Sequence, residues 1–165
     1  MEFPKIVLDK ISYYLRERNE TVSVAEGVTS GFLQLAFSQM QDASEFYKGG
    51  ITVYNPTQLM KHLNINADHE NFISRQISEA MAINAASFFN TEWSIATTGF
   101  AMPSIESKDE IFAYYCIAYR GTIIRSDRIE LHPMTKAFDA QHYFMEYILG
   151  CLRCEVKRNH TLINI

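Results

Sequence analysis

The sequence predicts an α/β protein, a three-layer α/β/α sandwich whose mostly parallel central sheet carries one antiparallel hairpin. Three observations predict it. Short β-branched runs alternate with segments of helical periodicity along most of the chain, the pattern of β-α-β units. Two long strand-like runs, residues 111–119 and 122–131, follow one another with only Arg120-Gly121 between them, which makes a hairpin. The chain has 165 residues, 47% hydrophobic and 21% charged, which suits one domain around one core and excludes a disordered chain.

Val7, Leu8, Ile11, Tyr14 and Leu15 recur at three- and four-residue spacing and stripe a helix over residues 7–18. Residues 21–25 are short and β-branched, a strand, and Thr29-Ser30-Gly31 then leads into a helix carrying Phe32, Leu33, Leu35, Ala36 and Phe37. Gly49-Gly50 precedes a second strand over 51–54. Asn55-Pro56-Thr57-Gln58 starts a helix at Pro56, with Asn as cap and Pro in the first turn, where its missing N–H is no loss. Ile73, Ile77, Ala80, Met81, Asn84 and Phe88 stripe the next helix, capped by Asp68 or Ser74. Residues 93–98 are a buried strand, and the hairpin follows. Ala137, Phe144, Met145, Ile148, Leu149 and Leu152 define a closing helix. The single domain is expected to span residues 1–154, leaving 155–165 as a polar tail, either disordered or an added edge strand.

Fifteen Lys and Arg against nineteen Asp and Glu give a net charge of −4, which disfavours a surface built to neutralise nucleic-acid phosphates or anionic lipid. No apolar run reaches the ~18–20 residues of a membrane helix, and the opening MEFPKIVLDK lacks the order of a signal peptide. A cytoplasmic protein with a small molecule or another protein as partner is expected. Cys116, Cys151 and Cys154 fit reduced thiols, and the C-x-x-C they include has no second Cys/His pair to complete a metal site. The hairpin run FAYYCIAY has few polar positions, so a homodimer or larger homo-oligomer is expected to cover it.

Ligands of open α/β sheets collect beyond the carboxyl ends of the strands, which points to loops 26–30, 54–56 and 97–104. Thr29, Ser30 and Gly31 stand at a helix amino terminus, where N–H groups without partners favour a phosphate or carboxylate; the other reading is an ordinary cap. Glu26 either orients a hydroxyl or ribose or caps its loop, and Thr98 and Gly99 add a hydroxyl and an amide at the same end. Ser44 is a nucleophile if a base stands beside it and a cap if none does. His62, His69, His132, His142 and His160 all lie outside these loops, so no Ser/His/Asp triad is expected.

Four segments in register resemble one family. Residues 21–31, TVSVAEGVTSG, are similar to the A-E-S-C-T-G-G signature of the CinA carboxy-terminal domain family of nicotinamide-mononucleotide deamidases. SEFYKGGITVY, residues 44–54, resembles that family's S-x-x-F-x-G-G-V-x-x-Y, residues 72–81 its V-S-E-E-V-x-x-A-M helix, and ATTGFAMP, residues 96–103, its strand ending in T-G-I-A-G-P. The resemblance covers about residues 5–150. It implies the sandwich fold, hydrolysis of a pyridine-nucleotide carboxamide by a serine with a lysine as base, and no metal or cofactor. It places Ser44 on the family's serine. Glu26, Thr29, Ser30, Gly31, Gly49, Gly50, Tyr54, Thr98 and Gly99 would then hold a pyridine nucleotide or another phosphate-bearing small molecule.

The family lysine belongs five positions beyond Tyr54, where this chain has Leu59. Lys61 stands two residues further on, about 200° round a helix of 3.6 residues per turn, and so points to nearly the opposite face. Gly27 replaces the signature serine and Met102 the glycine of G-P, and the arginine before the last helix is missing, with Lys136 nearby. Weak or absent deamidase activity with a retained nucleotide or anion pocket is therefore expected; the alternative is an active serine-dependent amidohydrolase.

Overall fold

In chain order the elements are α1 (Lys5–Glu17), β1 (Val22–Glu26), α2 (Phe32–Ser38), α3 (Ala43–Phe46), β2 (Tyr47–Thr52), α4 (Pro56–Leu63), α5 (Arg75–Phe89), β3 (Trp93–Phe100), β4 (Ile111–Tyr119), β5 (Thr122–Leu131) and α6 (Ala137–Ile163), in a computed structural model that describes residues 2–163. The sheet order is β2-β1-β3-β4-β5; the first three strands are parallel and the last two antiparallel. With helices on both faces, this is the mixed sandwich that the sequence predicts. No helix among the described residues is long and apolar enough to cross a membrane.

Side chains alternate along each strand, so each face of the sheet has its own composition. Val22, Val24, Trp93, Ile95, Tyr115 and Ile117 pack with Leu8, Ile11, Leu33, Phe37, Phe144 and Ile148 of α1, α2 and α6. Ala25, Ala96, Cys116 and Ala118 pack with Leu59, Met81, Ala82 and Ala85 of α4 and α5. Small side chains on the second face let α5 lie close, and the Ser94 hydroxyl donates to the Ala82 carbonyl at 2.6 Å. Closeness also decides which side of α5 is inward. Ser78, Met81, Ala82, Ala85 and Ala86 are buried and Phe88 is exposed, a rotation away from the predicted stripe through Ile73, Ile77 and Phe88. A phenylalanine does not fit where two backbones approach this nearly.

Asn55 caps α4 as predicted, accepting from the Gln58 N–H at 3.0 Å, and Ser74 rather than Asp68 caps α5. Arg120 and Gly121 form the hairpin turn with φ of 48° and 75°, the left-handed pair that suits the twist of the flanking strands. Three expectations are corrected. Gly49 and Gly50 lie inside β2, paired with Ser23 and Val24, because a Cβ on Gly50 would stand 2.4 Å from the Val24 side chain. The segment expected as a polar tail continues α6 to Ile163, since Val156 extends the buried stripe of Leu149 and Leu152; residues 164 and 165 lie outside the described residues. Finally, β4 is an interior strand covered by helices on both faces, so exposure falls on the edge strand β5, at Ile123 and Ile124.

Buried carboxylates stand near both ends of β1. Glu20, 3% exposed, accepts from Trp93 Nε1 and the Tyr119 hydroxyl at 2.7 Å each and from Arg18 at 2.9 Å, tying the start of β3 and the end of β4 to the loop before β1. Burial alone would raise its carboxyl, but the hydrogen bonds from Arg18, Trp93 and Tyr119 outweigh it and hold the group below its ordinary 4.5. Glu26 is fully buried; its Oε2 accepts from the Gly31 and Leu33 N–H groups at 3.0 and 3.1 Å and its Oε1 from that of Gln34 at 2.8 Å.

Two outcomes follow from these groups. Glu26→Gln replaces an acceptor oxygen by a donor against N–H groups that already donate, and should cost about 2–4 kcal/mol in urea unfolding; a change under ~0.5 kcal/mol would show that the cap is not needed. Because the folded pKa of Glu20 is depressed, its contribution is present above the unfolded value and is lost as pH falls through the folded one. Stability should therefore drop more steeply with acid in the wild type than in Glu20→Gln, a difference that melting curves collected from neutral pH down through pH 4.5 will reveal.

Candidate functional site

The carboxyl ends of β1, β2 and β3 open into a cleft of about 300 Å³. Its floor is backbone already in use: the Gly27 N–H donates to the Thr97 carbonyl and the Val53 N–H to the Glu26 carbonyl, both at 2.8 Å, so the ladder continues past the end of β1. Val53, Leu59 and Met81 form one side, Phe100, Ala101 and Met102 another. Ala137 and Gln141 at the start of α6 complete it, with Gln141 Nε2 donating to the Val28 carbonyl at 3.0 Å. Hydroxyls come from Tyr54, Thr98 and Ser104. Among the described lining residues none is Lys, Arg, His, Asp or Glu. The lining is mostly apolar, with a few polar groups among it.

Of the residues singled out in the sequence, Tyr54, Thr98 and Gly99 line this cleft. Gly99 also has a packing reason, since a Cβ there would stand 2.1 Å from the Phe112 carbonyl oxygen of β4. Ser30 is exposed and shares a hydrogen bond with the Tyr54 hydroxyl at 3.1 Å, while the Thr29 hydroxyl is buried against that of Thr97 at 2.8 Å. The amino end of α2 is not an open anion site. Glu26 takes the N–H groups of Gly31, Leu33 and Gln34, and the Phe32 N–H donates to the Thr29 carbonyl. A negative charge is thus already installed where a phosphate was expected. Gly49 and Gly50 do not line the cleft; a Cβ on Gly49 would meet the Phe89 ring at 3.0 Å, so both serve packing.

Ser44 and Lys61 are not brought together. Ser44 is exposed on α3, just before Tyr47, which pairs with Val22 at the amino end of β1. At ~3.3 Å per residue, the length of β2 puts Ser44 about 20 Å from the cleft at the strand's other end. Lys61 is exposed and turned away, whereas Leu59 is buried and lines the cleft, as the helical spacing implies. Gly27, at the position of the signature serine, lines the cleft with no hydroxyl, and a Cβ there would stand 3.1 Å from the Thr97 carbonyl oxygen.

Phe72, Ile73, Met81, Ala137 and Gln141 also line the cleft and were not among the predicted site residues. Phe72 and Ile73 had a local signal, since they immediately precede the Ser74 cap and so belong to the loop. Gln141 had none, because only the packing of α6 brings it there. Cys116 and Cys151 are buried and Cys154 exposed, all three free; burial, with the nearby Glu79 charge, pushes the Cys116 thiol up to about 12. Among the described residues no group of three or more His, Cys, Asp or Glu is placed to hold a metal ion.

A model of the CinA C-terminal domain matches residues 5–142. A CinA-like protein of Picosynechococcus is 28% identical over 140 residues, which are 83% of this chain and 33% of that one. Another, of Prochlorococcus marinus, is 38% identical over 93 residues, 54% of this chain and 22% of that one. The chain spans about a third of the length of the first of these curated relatives and less of the second. Among solved structures, the competence damage-inducible protein A of Klebsiella pneumoniae is similar with a TM-score of 0.85 at 16% identity, over 94% of this chain and 98% of that one. The competence/damage inducible protein CihA of Agrobacterium tumefaciens gives 0.73 at 18% identity, over 95% and 99%. At those identities the structures establish a shared fold, and the sequence match over residues 5–142 establishes more: the chain belongs to the CinA C-terminal domain family.

Proposed function

We propose that this chain does not catalyse deamidation and holds a small, uncharged, largely apolar ligand in the strand-end cleft. The observation that carries this reading is the absence of any Lys, Arg, His, Asp or Glu among the described lining residues. A serine hydroxyl is a poor nucleophile without a base, and the place of the family lysine is filled by Leu59. Of a pyridine nucleotide, the ring and carboxamide suit these walls, with Thr98, Ser104 and Gln141 as hydrogen-bonding partners. Its phosphate meets hydroxyls but no cation. A cytoplasmic location belongs to the same proposal. So does a homodimer or larger assembly through the β5 edge, where unpaired strand groups lie beside Ile123 and Ile124.

Nicotinamide mononucleotide incubated with the protein should release ammonia no faster than without it. Turnover of about 1–1,000 per second, abolished by Ser44→Ala, would overturn the silent reading in favour of a serine amidohydrolase. In thermal-shift titrations nicotinamide should raise the melting temperature more than the mononucleotide does at equal concentration. Ala101→Trp, which fills the cleft, should remove the effect; a shift that persists would place the ligand elsewhere. Sedimentation at micromolar concentration should show a species heavier than one chain, and a monomer alone would end the assembly proposal.

A further inference from the structure

A second concave surface lies away from the strand ends, between α1 and the carboxyl-terminal half of α6. It is an open groove of about 510 Å³ lined by Lys10 and Tyr14 from α1 and by Arg153, Lys157, Arg158 and Thr161 from α6, among others, and it shares no lining residue with the cleft. Four cationic residues therefore line one groove of a chain whose net charge is −4. Among the described residues Lys10, Arg153 and Lys157 form no ion pair, and Arg158 shares the buried Glu155 with Arg125.

Apart from the pairing of Arg158 with Glu155, this concentration has no internal justification. Arg153 and Lys157 are i,i+4 neighbours on α6, a spacing at which like charges disfavour the helix. The helix dipole rewards cations only in the last turn; Arg153 lies well before the end at Ile163, and Lys10 belongs to another helix. We propose that the groove between α1 and α6 binds the polyphosphate chain of a small molecule. Several negative charges close together cancel the mutual repulsion of the four cations at once, and the guanidinium forks of Arg153 and Arg158 match phosphate oxygens in pairs. Tyr14 and Leu162 add an apolar border on which a ring attached to the phosphates can rest. The partner is small: setting the four cations aside leaves eleven Lys and Arg against nineteen Asp and Glu, a surface that repels any polyanion long enough to run beyond the groove.

The test is isothermal titration of the full chain with adenosine triphosphate and, separately, with inorganic tripolyphosphate. Both should bind saturably, and more weakly as added salt shortens the screening length from about 10 Å at 0.1 M. The double variant Lys10→Gln/Lys157→Gln should lose at least about tenfold in affinity for both, and Arg153→Gln alone should also weaken both, each variant keeping the wild-type circular dichroism. Lys48→Gln, an exposed lysine on β2, should leave binding unchanged. The proposal is overturned by no saturable binding up to about 1 mM. Binding of the nucleotide without the tripolyphosphate, an equal loss in Lys48→Gln, or tighter binding of a DNA duplex than of either small anion would each overturn it as well.

Discussion

A buried carboxylate cannot be left unsatisfied, and at the carboxyl end of β1 that requirement organises everything around it. Glu26 has no exposed surface, so its charge has to be met by donors from the protein. The donors are the N–H groups at the start of α2, which swings back over the strand end through a left-handed turn at Ser30 and Gly31, φ 50° and 97°. Gln34, held by its amide to the same carboxylate, reaches across with its side chain to the Thr52 hydroxyl at 2.9 Å. Gly50 in β2 leaves the space that the Gln34 side chain crosses. One residue thus sets α2, its entry loop and the approach of the neighbouring strand. The same contacts occupy the N–H groups of the helix end, so the architecture of the loop and the engagement of those donors have a single cause.

The elements were legible wherever a local pattern has a local cause. Asn55-Pro56 and Ser74 are caps, Arg120-Gly121 is a turn, and the hairpin runs read as strands because residues two apart share a face. Patterns failed where the deciding partner is distant in sequence. The inward side of α5 depends on the small residues of β1, β3 and β4, and neither Phe88 nor Ala85 carries that information by itself. Gly49 and Gly50 read as residues that precede a strand and hold a ligand until Phe89 and Val24 are seen to need the space. Residues 155–163 look like a polar tail because one buried valine in a charged segment is a faint signal next to the acids and bases around it.

The candidate site was legible in its location more than in its chemistry. The strand-end loops with Tyr54 and Thr98 followed from the alternation of strands and helices, whereas the significance of Leu59, and of Lys61 two residues on, came from the family resemblance. The distance of Ser44 from the cleft follows from the topology, since a residue that precedes β2 lies at its amino end and the cleft lies at the carboxyl ends of the parallel strands; the reading of Ser44 as a nucleophile rested on the motif alone. Three of the positions that depart from the pattern the sequence resembles, Gly27, Leu59 and Met102, line the cleft, while the fold is kept. A scaffold and its reaction are separable for this reason: the core is a matter of volume and alternation, the reaction a matter of a few groups at fixed places.

The close seating of α5 on a layer of alanine, serine and cysteine bears on how the cleft meets a ligand. Met81 projects into the cleft from the side of α5 that cannot shift without breaking contacts along the sheet, so its wall is preorganised and loses little freedom on binding. Across the opening, Met102 is 63% exposed on a loop, an unbranched and polarisable side chain free to change rotamer. For the ligand proposed above, one wall would therefore impose a shape and the other adapt to it, and selectivity would rest on the rigid side.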